Sequence, residues 1–271
     1  MSEWIANARM YAVTPQVEGL WQRLLGHVAG EAGIALRYFP YPAPQPLEQL
    51  WERGDLGAVF MCGYPVVLGM AQVVPLAAPV PRVPWARGQA VYRSDLIVRA
   101  DSPYRTLADT FGHRAGWTVS HSQSGFNAFR HALLAHRSAA RPQLYAQVSG
   151  DLITARNILD GVREGRIDVG PLDAYWHLLI ARHAPQLTRG VRVLESTPVT
   201  PIPSFVASAQ LPAASVQALR AAFAAASSRP WFAELAEPLL IEGFAPVDAA
   251  RYALYLEWDR EARAAGYATP A

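Results

Sequence analysis

Two rhythms of apolar and polar positions take turns along this chain. The stretch "ARMYAV" (8–13) reads as a strand, and "VEGLWQRLLGHVAGEAG" (17–33), with apolar positions three and four apart and a closing glycine, reads as an amphipathic helix. Strand "IALRYF" (34–39), helix "PLEQLWERG" (46–54) and strand "AVFMCG" (58–63) follow. A second alternating block predicts helix "TLADTF" (106–111), strand "RAGWTV" (114–119), a helix over about 125–136, strand "LYAQV" (144–148) and helix "LITARNILDGVREG" (152–165). Strand "DVGPLD" (168–173), helix "AYWHLLIARHA" (174–184) and strand "VRVLEST" (191–197) complete it, and the remainder to the C-terminus is mostly helical.

Strands separated by helices predict an α/β protein in which mostly parallel sheets are flanked by crossover helices. Proline punctuates two passages, "VPLAAPVPRVPWARG" (74–88) and "TPVTPIPSFVASA" (197–209), which read as extended connectors. The expected layout is two lobes: residues 1–90 begin the first, 91–203 build the second, and 204–271 return to the first and add C-terminal helices. Two crossing strands, near 91–94 and 201–205, would join the lobes and leave a cleft between them. Ligands in open α/β sheets bind beyond the carboxyl ends of strands.

Composition narrows this picture by exclusion. The chain has 271 residues, 51% of them hydrophobic and 17% charged, which excludes disorder, and a formal net charge of +2 offers no field to gather nucleic acid. The single cysteine, Cys62, lies in the apolar run "GAVFMCG" and is expected to be a buried thiol. No apolar segment reaches membrane-spanning length, so no membrane insertion is expected. The N-terminal "MSEWIANARMYAV" carries no visible export leader. The expectation is a cytoplasmic protein, or a periplasmic one whose leader has been removed.

Candidate chemistry concentrates in "VSHSQSGFNAF" (119–129), at a strand-to-helix junction. Ser120, Ser122 and Ser124 alternate and a glycine follows. A helix start carries unpaired N–H groups and a partial positive charge, so with Ser122 as N-cap the segment Ser122, Gln123, Ser124, Gly125 and Phe126 can seat an oxyanion without a cation. Ser122 can equally cap the helix for its own sake. Gly125 costs the helix stability, which close approach of a ligand to the main chain would offset.

At these residues the sequence resembles the phosphonate- and phosphite-type substrate-binding proteins of ABC importers, which have the type II periplasmic-binding-protein fold. The run "VYRSDLIVRADSPYRTLADTFGHRAGWTVSHSQSGF" (91–126) follows the family's order: a tyrosine two before a serine in the crossing strand, at Tyr92, then the serine motif at Ser122 to Gly125. "VREGRIDVGPLDAYWH" (162–177) matches a later element and puts Asp173 in its acidic position, and "GDLGAVFMCGYPVVL" (54–68) maps a cleft tyrosine to Tyr64. The likeness runs from about residue 8 to 228. It departs at Gln123, where threonine or alanine is usual, and in "SGDLITA", where Asp151 stands near the usual place of a histidine. It implies capture of a small anionic or zwitterionic, phosphonate- or phosphate-like ligand between the lobes, an ABC permease as partner, no cofactor and no catalysis.

Other constellations are weaker. Asp173 can accept from a ligand or N-cap the following helix, and either Trp176 or His177 can face the cleft. His131 and His136, five apart, share no helical face, and no metal-binding motif is present. "SHSQSG" lacks the first glycine of a nucleophile elbow, and neither "GHRAG" nor "GLWQRLLG" has dinucleotide-binding spacing. An enzyme on the same bilobal fold, a cytoplasmic lyase or a pyrimidine-precursor synthase, is the alternative; a ligand-sensing domain of a regulator is a third reading.

Overall fold

Side-chain caps fix the start of several helices. In the computed structural model, which describes residues 3–271, Thr14 accepts from the Val17 amide to start α1 (Pro15–Ala32), and Gly33 ends it with φ of 67°. Before it comes β1 (Trp4–Asn7). Then follow β2 (Leu36–Tyr38), α2 (Leu47–Trp51), β3 (Leu56–Met61), α3 (Gly63–Val67) and the nine-residue β4 (Val73–Pro81). A two-residue β5 (Val91–Tyr92) leads into β6 (Ser94–Arg99), β7 (Arg114–Gly116), α4 (Ala128–Leu134), β8 (Gln147–Ser149) and α5 (Ala155–Arg163). Next are β9 (Gly170–Asp173), α6 (Ala174–His183), α7 (Pro185–Thr188) and β10 (Val191–Ser196). The chain returns through β11 (Thr200–Pro201) and β12 (Ser204–Ser208) to α8 (Ala213–Ala225), α9 (Phe232–Leu239), β13 (Ile241–Pro246) and α10 (Ala253–Ala264).

A six-stranded sheet, ordered β13-β4-β12-β3-β1-β2, forms one lobe. In the other, β10-β6-β9 form one sheet and β7-β8 another, linked by a parallel bridge between Ala115 and Val169. Between the lobes, β5 and β11 pair antiparallel, Thr200 opposite Tyr92 and Pro201 opposite Val91. The strand directions are mixed rather than mostly parallel. Only β1 with β2, β1 with β3, and β7 with β8 run parallel, whereas β4 and β12 pair antiparallel with each other and with their other neighbours. The chain re-enters the first sheet from the far lobe, so its returning strand arrives reversed.

Two sequence readings are corrected locally. The first strand is "WIAN", not "ARMYAV", because residues 9–11 form a 3₁₀ turn whose Arg9 amide donates to Asn7 Oδ1. The proline-rich passage after Val73 is a sheet strand rather than a connector. Its partner register slips between the pairs Phe205–Ala77 and Val206–Pro75, where a ladder donor is missing. The largest core runs continuously from Trp21 and Phe60 to Leu172 and Tyr175. Tyr11 packs edge-on against Tyr175 with centroids 4.7 Å apart. No helix among the described residues is long and apolar enough to cross a membrane.

Candidate functional site

A cavity of about 630 Å³ opens between the lobes. It lies just beyond the carboxyl ends of β1, β3, β7 and β9, reached by Arg9, Cys62, Thr118 and Asp173 in turn, the position where open α/β sheets leave a crevice. The 40–47 loop and Trp51 wall it from the first lobe, and residues 153–157 with Trp176 wall it from the second.

The serine segment enters this cavity as a capped helix start. Ser122 Oγ accepts from the Gly125 amide at 3.0 Å, leaving its own proton free to donate. Residues Gln123–Asn127 form a π turn that runs straight into α4, with the Asn127 amide donating to the Ser122 carbonyl. Ser122, Ser124 and Gly125 face the cavity, and the Ser124 amide has no backbone acceptor. Beside them Thr118, 6% exposed and also on the wall, has a buried hydroxyl with no hydrogen-bond partner. A Cβ on Gly125 would stand 2.0 Å from Thr118 Oγ1. The glycine is therefore required by this neighbouring hydroxyl, not only by an incoming ligand.

Asp173 does both things open to it. Its Oδ1 accepts from the Tyr175 and Trp176 amides, capping α6, and its Oδ2 accepts from the Tyr11 hydroxyl at 3.0 Å. It also lines the cavity. Burial pushes its carboxyl up to about 7 against the pull of those donors. Cys62, buried as expected, lies near enough for Asp173 to act on it; burial first and that carboxylate second push the thiol up to about 12.

Cations stand farther out. Arg9 donates to the Gln45 carbonyl and lies over the Tyr41 ring at 5.5 Å, with burial lowering its guanidinium from the ordinary value. Arg156 is bound to Asp160 at 2.7 Å. The two sides of the cavity touch where His121 meets Glu48, Nε2 to Oε1 at 2.6 Å. A carboxylate only accepts, so the imidazole proton is on Nε2.

The expected site residues divide into two sets. Ser122, Ser124, Gly125 and Asp173 share the cavity wall; Tyr64, Tyr92, Gln123 and Phe126 do not line it. Tyr64 is a correction: it turns away to the Asp259–Arg130 pair and packs with Tyr252 and Tyr255, because α10 covers α3 from behind. Tyr92, 1% exposed, sits behind Ser124 with an unpartnered hydroxyl, and burial raises it well above its ordinary value. Gln123 is fully buried; its Oε1 accepts from Asn127 and its Nε2 has no partner. Phe126 packs edge-on to Trp117 with centroids 4.9 Å apart, and Arg130 lies over its ring. Trp176 takes the cavity side of α6, whereas His177 Nδ1 meets Asp95 at 2.9 Å. Thr118, Arg9 and Arg156 were missed. A threonine in an apolar run, an arginine in a strand-like stretch and one ahead of an aspartate carry no signal of their own.

Comparisons with known proteins agree on one fold. The family described as the phosphonate ABC transporter's periplasmic substrate-binding protein matches residues 12–252. A binding protein component of an ABC phosphonate transporter from Pseudomonas aeruginosa superposes with a TM-score of 0.80 at 15% identity, over 98% of this chain and 88% of its own. PhnD1 from Prochlorococcus marinus, solved with methylphosphonate, gives 0.78 at 13% identity over 96% and 98%. A Xanthomonas citri protein solved with ATP gives 0.66 at 19% identity, over 98% of each chain. No curated protein matches the sequence.

Proposed function

Since this chain belongs to the family of periplasmic substrate-binding proteins of phosphonate ABC transporters, we propose that it captures a phosphonate-like anion or zwitterion in the interlobe cavity, its oxyanion held at the start of the helix at Ser122–Phe126. One observation supports this most: the Thr118 hydroxyl is buried on the cavity wall, beside a capped helix start, with no protein partner. A buried polar group left unpaired costs free energy, and a ligand oxygen would complete it. The Ser122 and Ser124 hydroxyls, the Ser124 amide and the helix dipole add donors without a formal cation.

Recognition is the whole chemistry in this reading, with no catalytic step. The lobes, residues 1–90 with 204–271 and residues 91–203, close about the β5/β11 ribbon on the ligand, and an ABC permease reads the closed shape from the periplasm. Calorimetry with methylphosphonate, phosphate, phosphite, a sulfonate and small carboxylates is expected to return at least one binder. The Ser122→Ala, Ser124→Ala double variant and Thr118→Val should each weaken it roughly tenfold, the scale of a hydrogen bond to a charged group. Valine keeps the threonine shape and deletes a hydroxyl without a protein partner, so the free protein should retain its stability. An empty panel, or variants that bind like the parent, would overturn the proposal.

A further inference from the structure

The oxyanion seat fills one corner of a cavity of about 630 Å³. Pockets of roughly 300–1,000 Å³ enclose drug-sized ligands, and methylphosphonate carries a single carbon. The two lobes are already in contact beside this cavity, where His121 on its wall bonds to Glu48 at 2.6 Å.

Apolar side chains from both lobes supply much of the wall around the remaining space. Met10, Val13, Tyr41 and Leu47 come from the first lobe, and Trp176 with Ile153 from the second. Ile153 is 42% exposed at φ of 66°, a left-handed conformation that a β-branched residue rarely adopts. Polar side chains here are already engaged by the protein: Arg156 by Asp160 at 2.7 Å, Asn157 by the Leu152 carbonyl at 2.7 Å, Glu18 by the Tyr38 hydroxyl at 3.1 Å and Arg9 by the Gln45 carbonyl. The donors of the capped helix start are thus gathered at the Thr118–Ser124 corner, and the opposite walls add apolar surface whose burial favours apolar partners.

Resting on the reading that a phosphonate occupies the helix start, we infer that its ligand carries an apolar body of at least phenyl size, seated between the Tyr41–Leu47 wall and Trp176 and rimmed by Ile153. The protein is then a receptor for organophosphonates with a hydrophobic substituent. Methyl-, butyl- and phenylphosphonate, titrated calorimetrically into the whole protein, should bind in rising order. Phenylphosphonate should be tighter than methylphosphonate by roughly tenfold or more, with the more negative heat-capacity change that apolar burial produces.

Ile153→Gly relieves the left-handed backbone and so keeps the fold. It should weaken phenylphosphonate by roughly threefold or more, leaving methylphosphonate within about twofold. Methylphosphonate binding as tightly as phenylphosphonate would overturn this inference and leave the oxyanion seat standing. If none of the three binds, the seat itself fails. A gap unchanged in both Ile153→Gly and Tyr41→Ala would overturn the assigned wall.

Discussion

Asp173 shows how one side chain can serve structure and site together. Unfolded, an aspartate ionises near 4; folded, burial keeps the proton on this one up to about 7. Between those values the unfolded chain releases a proton that the folded chain retains. The group's contribution to stability is therefore full below about pH 4 and is lost as pH rises through about 7. Asp173→Asn keeps an acceptor for the Tyr175 and Trp176 amides but cannot ionise, so the decline in urea-unfolding midpoint from about pH 4 to about pH 8 should flatten. The same proton affects the ligand, because above about pH 7 a carboxylate shares the cavity with the bound anion. The ratio of parent to Asp173→Asn affinity for one phosphonate should fall as pH rises, the ligand's own ionisation cancelling. Parallel profiles for the two proteins would refute this account. Sequence placed Asp173 through its position at a strand end, but it could not show that capping and cavity lining coincide. Thr118 was silent for a related reason: a hydroxyl becomes a site only when its partners are missing, which is a property of the packed fold.

At the scale of elements, the serine turn is held from behind by α10. The Tyr255 carbonyl accepts from Asn127 at 3.0 Å, and the Tyr255 hydroxyl donates to the Pro201 carbonyl on the crossing strand. Arg130, wholly buried on α4, donates to Asn127, to Asp259 and to the Ala268 carbonyl, so one guanidinium ties the π turn to the C-terminal helix. Removing one partner of a buried ion pair leaves the other uncompensated. Asp259→Ala is expected to cost about 3 kcal/mol by urea denaturation, and ligand affinity should drop because the turn loses its backing. A cost under about 1 kcal/mol, the range of an exposed pair, would show that Arg130 finds other partners. Capped helices such as α1 and α6 were legible because their signals are local. The π turn and the sheet strand through Pro75, Pro79 and Pro81 were not, since each is decided by a neighbour distant in sequence, α10 and the bulged register with β12; the 3₁₀ turn at 9–11 rests on a local bond to Asn7 that hydrophobic periodicity does not register.

For the whole molecule, alternation along the chain revealed two lobes and a double crossing, but not strand direction, because direction depends on where the chain re-enters the sheet. Contacts between the lobes were equally invisible, and they define the state described here. On the buried side Tyr11 reaches Asp173, and Tyr175 donates to the Leu239 carbonyl at 2.6 Å. On the cavity wall a less buried pair meets: the His121 side chain is 12% exposed and Glu48 34%. The buried contacts lie beside the β5/β11 ribbon and belong to a continuous core, so opening the cleft would begin at the Glu48–His121 bond. A partly exposed pair contributes up to about 1 kcal/mol. In a protein whose lobes interconvert, that energy biases the closed population by up to roughly fivefold. Glu48→Ala, which removes the acceptor, should therefore raise the free protein's radius of gyration in small-angle scattering and weaken ligand binding by about two- to fivefold. The ligand-bound radius should stay unchanged, since bound ligand restores closure. If radius and affinity both match the parent, the bond merely decorates the rim, and closure is governed by the buried contacts around Tyr11 and Tyr175.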